Sequence, residues 1–268
     1  MKWTRRSALA TAAVLLFASS APAMADLRVG ISAEPYPPFA AQDASGKWVG
    51  WEIDALDAVC AEIKEKCEIV PVAWDGIIPA LTAKQIDLIW ASMLITTKRK
   101  ETIDFTKSYY DTPPAMIGPK DGDKDISPEH LKGKTIGVQV STGHERYASK
   151  YLVPKGIEMK TYAIQDEANN DLAAGRLDYV LANSSALYDF LESEPGKACC
   201  ELKGMVEKPK DDPEIYGEGV GGGVRKEDTA LKEKLNAAID ALAKKGTFEE
   251  ITKKYPQLEG RMTLPKAE

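Results

Sequence analysis

An α/β fold with mostly parallel sheets is predicted by three features of this 268-residue chain. Short apolar runs of strand length alternate with longer helical patterns, glycine closes several of the helical segments, and turn residues punctuate the junctions. Residues 27–31 form the first apolar run. A turn and a helix over about 54–66 follow, then a strand over 68–72, a short helix over 76–83 and a buried strand over 86–91. Ser92, Thr96 and Thr97 come next, and Arg99 falls just inside another helix.

A second unit opens after the proline-rich Asp111-Thr112-Pro113-Pro114. Ser127 as N-cap with Pro128 at the first helical position predicts a helix, followed by a strand over 135–140 and a helix from about Thr142. The stretch EANNDLAAGR reads as a helix closed by Gly175, and 179–182 as a strand. The remainder reads as two helices, one over 229–244 ended by Gly246 and one opened by Thr247 with Glu250 in a capping box. Gly221-Gly222-Gly223 belongs to the connection before them and relieves packing rather than binding phosphate.

The first 25 residues have the build of a cleaved export signal: Lys2, Arg5 and Arg6, an apolar run from Ala8 to Ala18, and Ala23-Met24-Ala25. Arg5-Arg6 permits a twin-arginine reading, which the flanking residues fit poorly. Removing 1–25 takes away three positive charges, so the formal net charge moves from −6 to −9. An acidic chain without a basic cluster argues against nucleic acid or an anionic membrane as partner. No Cys, His and carboxylate grouping has metal-ligand spacing, so neither metal nor cofactor is expected. Four cysteines in an exported chain suggest disulfides. Cys199 and Cys200 are adjacent, which leaves a vicinal bond, free thiols and pairing between molecules all open.

A guanidinium beside hydroxyls and exposed amides holds a carboxylate bidentately, and Arg99 after a strand end at Ser92 has that setting. The segment IDLIWASMLITTKRKETIDFTKSYY resembles the amino-acid-binding periplasmic proteins that feed ABC importers, and the likeness extends over nearly all of the chain after the leader. The resemblance implies a two-lobed periplasmic binding protein fold, each lobe a mixed, mostly parallel sheet flanked by helices. Lobe 1 would comprise 26–111 and 217–268 and lobe 2 residues 112–216, with hinges near Asp111 and Gly217. It also implies a disulfide between Cys60 and Cys67, at the spacing found in the lysine/arginine/ornithine- and histidine-binding proteins.

Site residues follow by the same route. Ser92 and Arg99 would hold an α-carboxylate. Tyr36, in the loop AEPYPPF, is by itself either a ligand contact or a surface residue on a proline-stiffened turn; the resemblance makes it a stacking face. Trp74 is by itself a core candidate; the resemblance makes it the opposite face. Glu34 either meets a basic ligand group or is a solvated loop carboxylate. From the second lobe, Thr142 and Gly143 would donate backbone N–H groups at a helix start, with Gln139, Ser141 and His144 nearby. His144 alone reads as a surface helix residue. His130 has no constellation around it.

Two positions depart from the family pattern. Asn183 stands where an Asp usually meets the ligand ammonium, and Leu94 replaces a contributing Ser. Each lost charged hydrogen bond is worth roughly 1.5–3 kcal/mol. One explanation is a substituted or neutral α-nitrogen, as in the ligands of opine-binding proteins, which GRLDYVLAN resembles. The other is that Ser92, the backbone and Glu34 rebuild the subsite. The expected function is capture of an amino acid or N-substituted amino acid by hinge closure and delivery to a membrane ABC permease, by a periplasmic monomer that is not an enzyme. The alternative is a secreted enzyme on the same fold, resembling cyclohexadienyl dehydratases, with Glu34 or His144 as general acid.

Overall fold

A computed structural model describes residues 26–212 and 214–266; the export signal expected over 1–25 lies outside the described residues. The first unit runs β1 (Leu27–Ser32), β2 (Ala41–Gln42), β3 (Trp48–Val49), α1 (Trp51–Ile63), β4 (Cys67–Val72), α2 (Ile77–Thr82), β5 (Leu88–Ile89), α3 (Thr97–Lys100) and β6 (Asp104–Tyr110). The second runs β7 (Pro114–Pro119), β8 (Thr135–Gln139), α4 (Gly143–Tyr147), β9 (Glu158–Tyr162), α5 (Gln165–Ala173), β10 (Tyr179–Asn183), α6 (Ser184–Glu192), α7 (Glu194–Cys199) and β11 (Cys200–Met205). The chain then returns as β12 (Val220–Val224), α8 (Thr229–Lys244) and α9 (Thr247–Thr252).

Two five-stranded sheets result, ordered β4-β1-β5-β12-β6 and β11-β7-β10-β8-β9. In the first, β1 pairs parallel with β4 and β5, while β12 runs antiparallel to both neighbours. In the second, β8 pairs parallel with β9 and β10, while β7 runs antiparallel to both neighbours. The reversed strand in each sheet is thus the one entered just after the chain crosses between sheets. This is the two-lobed, mostly parallel α/β architecture expected from the sequence.

The larger core lies beneath α1, α8 and α9, where Trp51, Trp90, Tyr109, Tyr110, Phe39 and Phe248 are fully buried. Trp90 stacks on Tyr109 with centroids 3.8 Å apart, and the Trp51 indole donates to Thr252 Oγ1 at 2.9 Å. Buried aromatics of this size dominate the apolar area removed from water. The Cys60–Cys67 disulfide ties α1 to the start of β4, and Cys199–Cys200 form a vicinal disulfide at the junction of α7 and β11.

Several expected elements differ. Helix α1 begins at Trp51 and ends at Ile63, three residues earlier at each end than expected, because Gly50 (φ 130°) starts it and Lys64 (φ 57°) closes it in the left-handed region. The strand expected over 86–91 pairs in the sheet only at Leu88–Ile89. Ser127 opens a turn rather than a helix. Its carbonyl accepts from His130 and Leu131 N–H at 3.0 Å each, but Gly133 (φ 77°) ends the segment before a second turn can repay nucleation. No capping box forms at 247: Gly246 precedes the helix, Thr247 is already helical, and the Glu250 carboxylate pairs with Lys253 at 2.6 Å. The triple glycine is not a loop but the middle of β12, wholly buried. An added Cβ at Gly221 would sit 2.7 Å from Ile95 Cδ1, so this strand is bare because its neighbours lie against it.

Candidate functional site

The carboxyl ends of the strands from both sheets face one cleft, where open α/β sheets bind ligands. Its floor is Arg99. Thr96 Oγ1 caps α3 by accepting from the Arg99 N–H, which fixes the side chain's departure point. Arg99 is only 8 % exposed, and its guanidinium donates from Nη1 to the Leu94 carbonyl at 2.8 Å and from Nη2 to the Ser141 carbonyl at 2.9 Å. Leu94 belongs to the first sheet's unit and Ser141 to the second's, so this one cation spans the cleft. Among the described residues no carboxylate is bonded to it. Burial, and then the charge of Arg146, pull its pKa down to about 9. A buried cation held only by carbonyl dipoles is a strong attractor for an anion.

Two aromatic rings wall the cleft. Tyr36 follows β1, and burial pushes its phenol pKa up. Trp74 stands before α2, with the Arg99 Cζ 5.4 Å from its ring centroid. The Trp74 indole N–H donates to the Val140 carbonyl at 3.1 Å, a second bond across the cleft. Glu34 also lines the cleft, and its Oε2 accepts from Ser32 Oγ at 2.7 Å and from the Trp74 N–H at 3.1 Å. It is therefore a fixed carboxylate beside the aromatic pair rather than a solvated loop residue.

Ser92 is placed at the cleft in the left-handed region (φ 52°), but its donors point elsewhere. Its N–H and Oγ donate to the two carboxylate oxygens of Glu52, at 2.7 and 2.9 Å. Glu52 also accepts from the Tyr109 hydroxyl and is 1 % exposed. Burial raises its pKa, against the bonds from Tyr109 and Ser92. Sequence reasoning missed Glu52 because the helix was expected to start beyond it. Nothing local marked it, since Asp54 stands two residues on in the same first turn. Gln165, which lines the cleft and donates to Asn169 Oδ1 at 3.0 Å, was missed as well.

The second lobe contributes the start of α4. Thr142 is its N-cap, with Oγ1 accepting from the Glu145 N–H at 3.2 Å and donating to the Gln139 carbonyl at 2.7 Å. Gly143 follows where a Cβ would lie 2.5 Å from the Ile215 carbonyl oxygen, so no larger side chain fits there without a shift. His144 is not a surface residue: it is 5 % exposed and lines the cleft with Asn183, Gln139 and Leu94. Burial, and then Arg146, push its imidazole down to about 3, so the ring is neutral. Ser141 alone among the expected residues is not part of the lining; it reaches the site through the carbonyl that Arg99 binds, while its N–H donates to Glu145 at 2.6 Å. Among the described residues no cluster of three or more His, Cys, Asp or Glu could hold a metal ion.

Two α/β lobes that meet over an aromatic-walled cleft, with a buried guanidinium at its floor that no carboxylate of the described residues binds, define the class of hinged solute-binding proteins. The chain belongs to the bacterial extracellular solute-binding proteins, family 3, whose profile matches residues 27–257. It is 41% identical over 249 residues to an L-arginine-binding protein of Pseudomonas aeruginosa, covering 92% of this chain and 93% of that one. Its identity to a histidine-binding periplasmic protein of Salmonella typhimurium is 35% over 254 residues, covering 94% and 96%. An ancestral arginine-binding protein solved with arginine bound superposes with a TM-score of 0.78 at 34% identity, over 86% of this chain and 97% of that one. These relatives are binding proteins rather than enzymes, which leaves the dehydratase-like alternative with less support.

Proposed function

We propose that this protein captures L-arginine or a related amino acid, including N-substituted forms, by closing the cleft around it, and hands it to a membrane ABC permease. The observation that carries this reading is Arg99, a buried guanidinium with carbonyl partners from both lobes and, among the described residues, no carboxylate. A ligand carboxylate would replace the carbonyl contacts with charge-assisted bonds. Thr142 and Gly143 would add backbone N–H groups. Tyr36 and Trp74 would enclose the side chain, and a cationic side chain would gain from both rings and from Glu34.

Closure would shift a pre-existing equilibrium between open and closed forms. The lobes would be residues 26–111 with 217–268, and 112–216, hinged near Asp111 and Gly217. Gly217 (φ 60°) suits a hinge, since a Cβ there would fall 1.7 Å from the Ile95 carbonyl oxygen. The protein would act as a periplasmic monomer after loss of residues 1–25.

The test is a thermal-shift screen of refolded, ligand-free protein against the common amino acids, N-substituted amino acids such as octopine, and prephenate. Binding to the native state raises the midpoint by mass action. Shifts with arginine or octopine are expected. A shift with prephenate alone, or none at all, would overturn the reading.

A further inference from the structure

Of the side chains that line the cleft, nearly every buried polar group is already engaged by the protein. Glu34 is held by Ser32 and Trp74, Glu52 by Ser92 and Tyr109, and Gln165 by Asn169. Among the described residues of the lining, His144 Nε2 is the one fully buried side-chain nitrogen or oxygen with no partner in hydrogen-bond geometry; the Asn183 side chain lies near enough to act on the ring without making that bond. Leaving such an atom unsatisfied costs stability, and proteins retain that cost where a ligand completes the bond.

Its position indicates which part of a ligand would do so. His144 stands in the first turn of α4, three residues after Ser141, whose carbonyl Arg99 binds, and two after the capping Thr142. The Tyr216 ring backs it, with centroids 5.4 Å apart. It therefore shares a corner with Arg99 and Asn183, both of which act on its ring, whereas Glu34 is held by Ser32 and the Trp74 backbone N–H and does not. We infer that the His144 side chain is a ligand contact whose Nε2 hydrogen-bonds the carboxylate-bearing head of the ligand, not its side chain. The inference rests on the amino-acid reading above and goes beyond it by assigning this corner an uncharged contact. Burial of the ring supports the neutral form, so the head group meets a dipole and not a second cation.

The chain has two histidines, which makes the test direct. In protein labelled with 15N-histidine, refolded free of ligand, addition of L-arginine or octopine is expected to move the His144 imidazole resonances and leave those of His130 in place. His144→Phe is expected to weaken binding of L-arginine, L-lysine and L-ornithine by a common factor of roughly tenfold. Its ligand-free thermal midpoint should not fall, because the orphaned nitrogen has gone. His144→Gln, which keeps a polar group, should recover part of the loss.

An imidazole unmoved by a ligand that calorimetry shows to be bound would overturn the inference and leave the amino-acid reading standing. So would a loss that differs among the three side chains. Failure of wild-type protein to bind any of these compounds would overturn the amino-acid reading itself. If His144→Phe does not fold, the spectra of wild-type protein and the His144→Gln affinities still decide.

Discussion

The two walls of the cleft differ in kind. The first lobe supplies the charges and rings, Arg99, Glu34, Glu52, Tyr36 and Trp74, and ties most of them to one another in advance. The second supplies a helix start, a neutral imidazole and a neutral amide, with bonding capacity left open at His144. A pre-organised wall costs little ordering on binding, whereas an open wall gains only once the ligand is in place. The difference implies that docking is decided by the first lobe and closure by the second. Substitutions on either wall can break that division.

The largest effect should come from Arg99→Met. Two charge-assisted bonds to a carboxylate are each worth roughly 1.5–3 kcal/mol. An affinity loss of at least about 100-fold is therefore expected by calorimetry. Arg99→Lys should restore little, because a single ammonium cannot reproduce a fork. A loss smaller than that of His144→Phe would show that the first lobe is not the docking wall. Gly143→Ala tests the other side. Its Cβ would meet the Ile215 carbonyl oxygen at 2.5 Å, so the start of α4 must move. With overpacking strain of about 1–3 kcal/mol, affinity should fall by about tenfold, mainly through faster release. An unchanged release rate would remove closure from the second lobe's account.

These two residues also show how far the sequence could be read. The strand–helix alternation and the setting of Arg99 after a strand end were visible as local patterns, and the two-lobed arrangement followed from the likeness they carried. Cys60–Cys67 was legible by the same likeness. Glu52 was not, because its importance depends on Tyr109 and Ser92 folding onto it from distant positions. Strand β12 was hidden for a related reason. Three glycines oppose strand propensity, and only the side chains of Ile95, Leu88 and Ile103 pressing on them explain why they are tolerated. Taken alone His144 read as a surface residue, and only the likeness put it beside the site, because the burial of one short helix is set by the whole second lobe.

A smaller effect should appear in stability against pH. The His144 pKa is depressed to about 3 in the folded protein from 6.5 when free. Between those values the unfolded chain binds the proton and the native state resists it, so stability is present above pH 6.5 and is lost as pH falls toward 3. The thermal midpoint of His144→Gln should decline less than that of wild type between pH 7 and pH 4. Equal declines would mean that His144 is not buried neutral in the ligand-free protein, and the second wall would then be wetter than described.

Trp74→Phe should have the smallest effect, and it probes the boundary between the walls. The substitution keeps an aromatic face but removes the indole N–H that donates to Val140 at 3.1 Å across the cleft. A neutral hydrogen bond contributes about 0.5–1.5 kcal/mol, so the loss should be a few-fold and should fall on the closed form. Because the ring face survives, preference among ligand side chains should be unchanged while release quickens. If preference changes and release does not, Trp74 acts only as a stacking surface. Among the described residues that line the cleft, Arg99 would then carry the remaining hydrogen bonds across it, which would give one residue a part in both docking and closure.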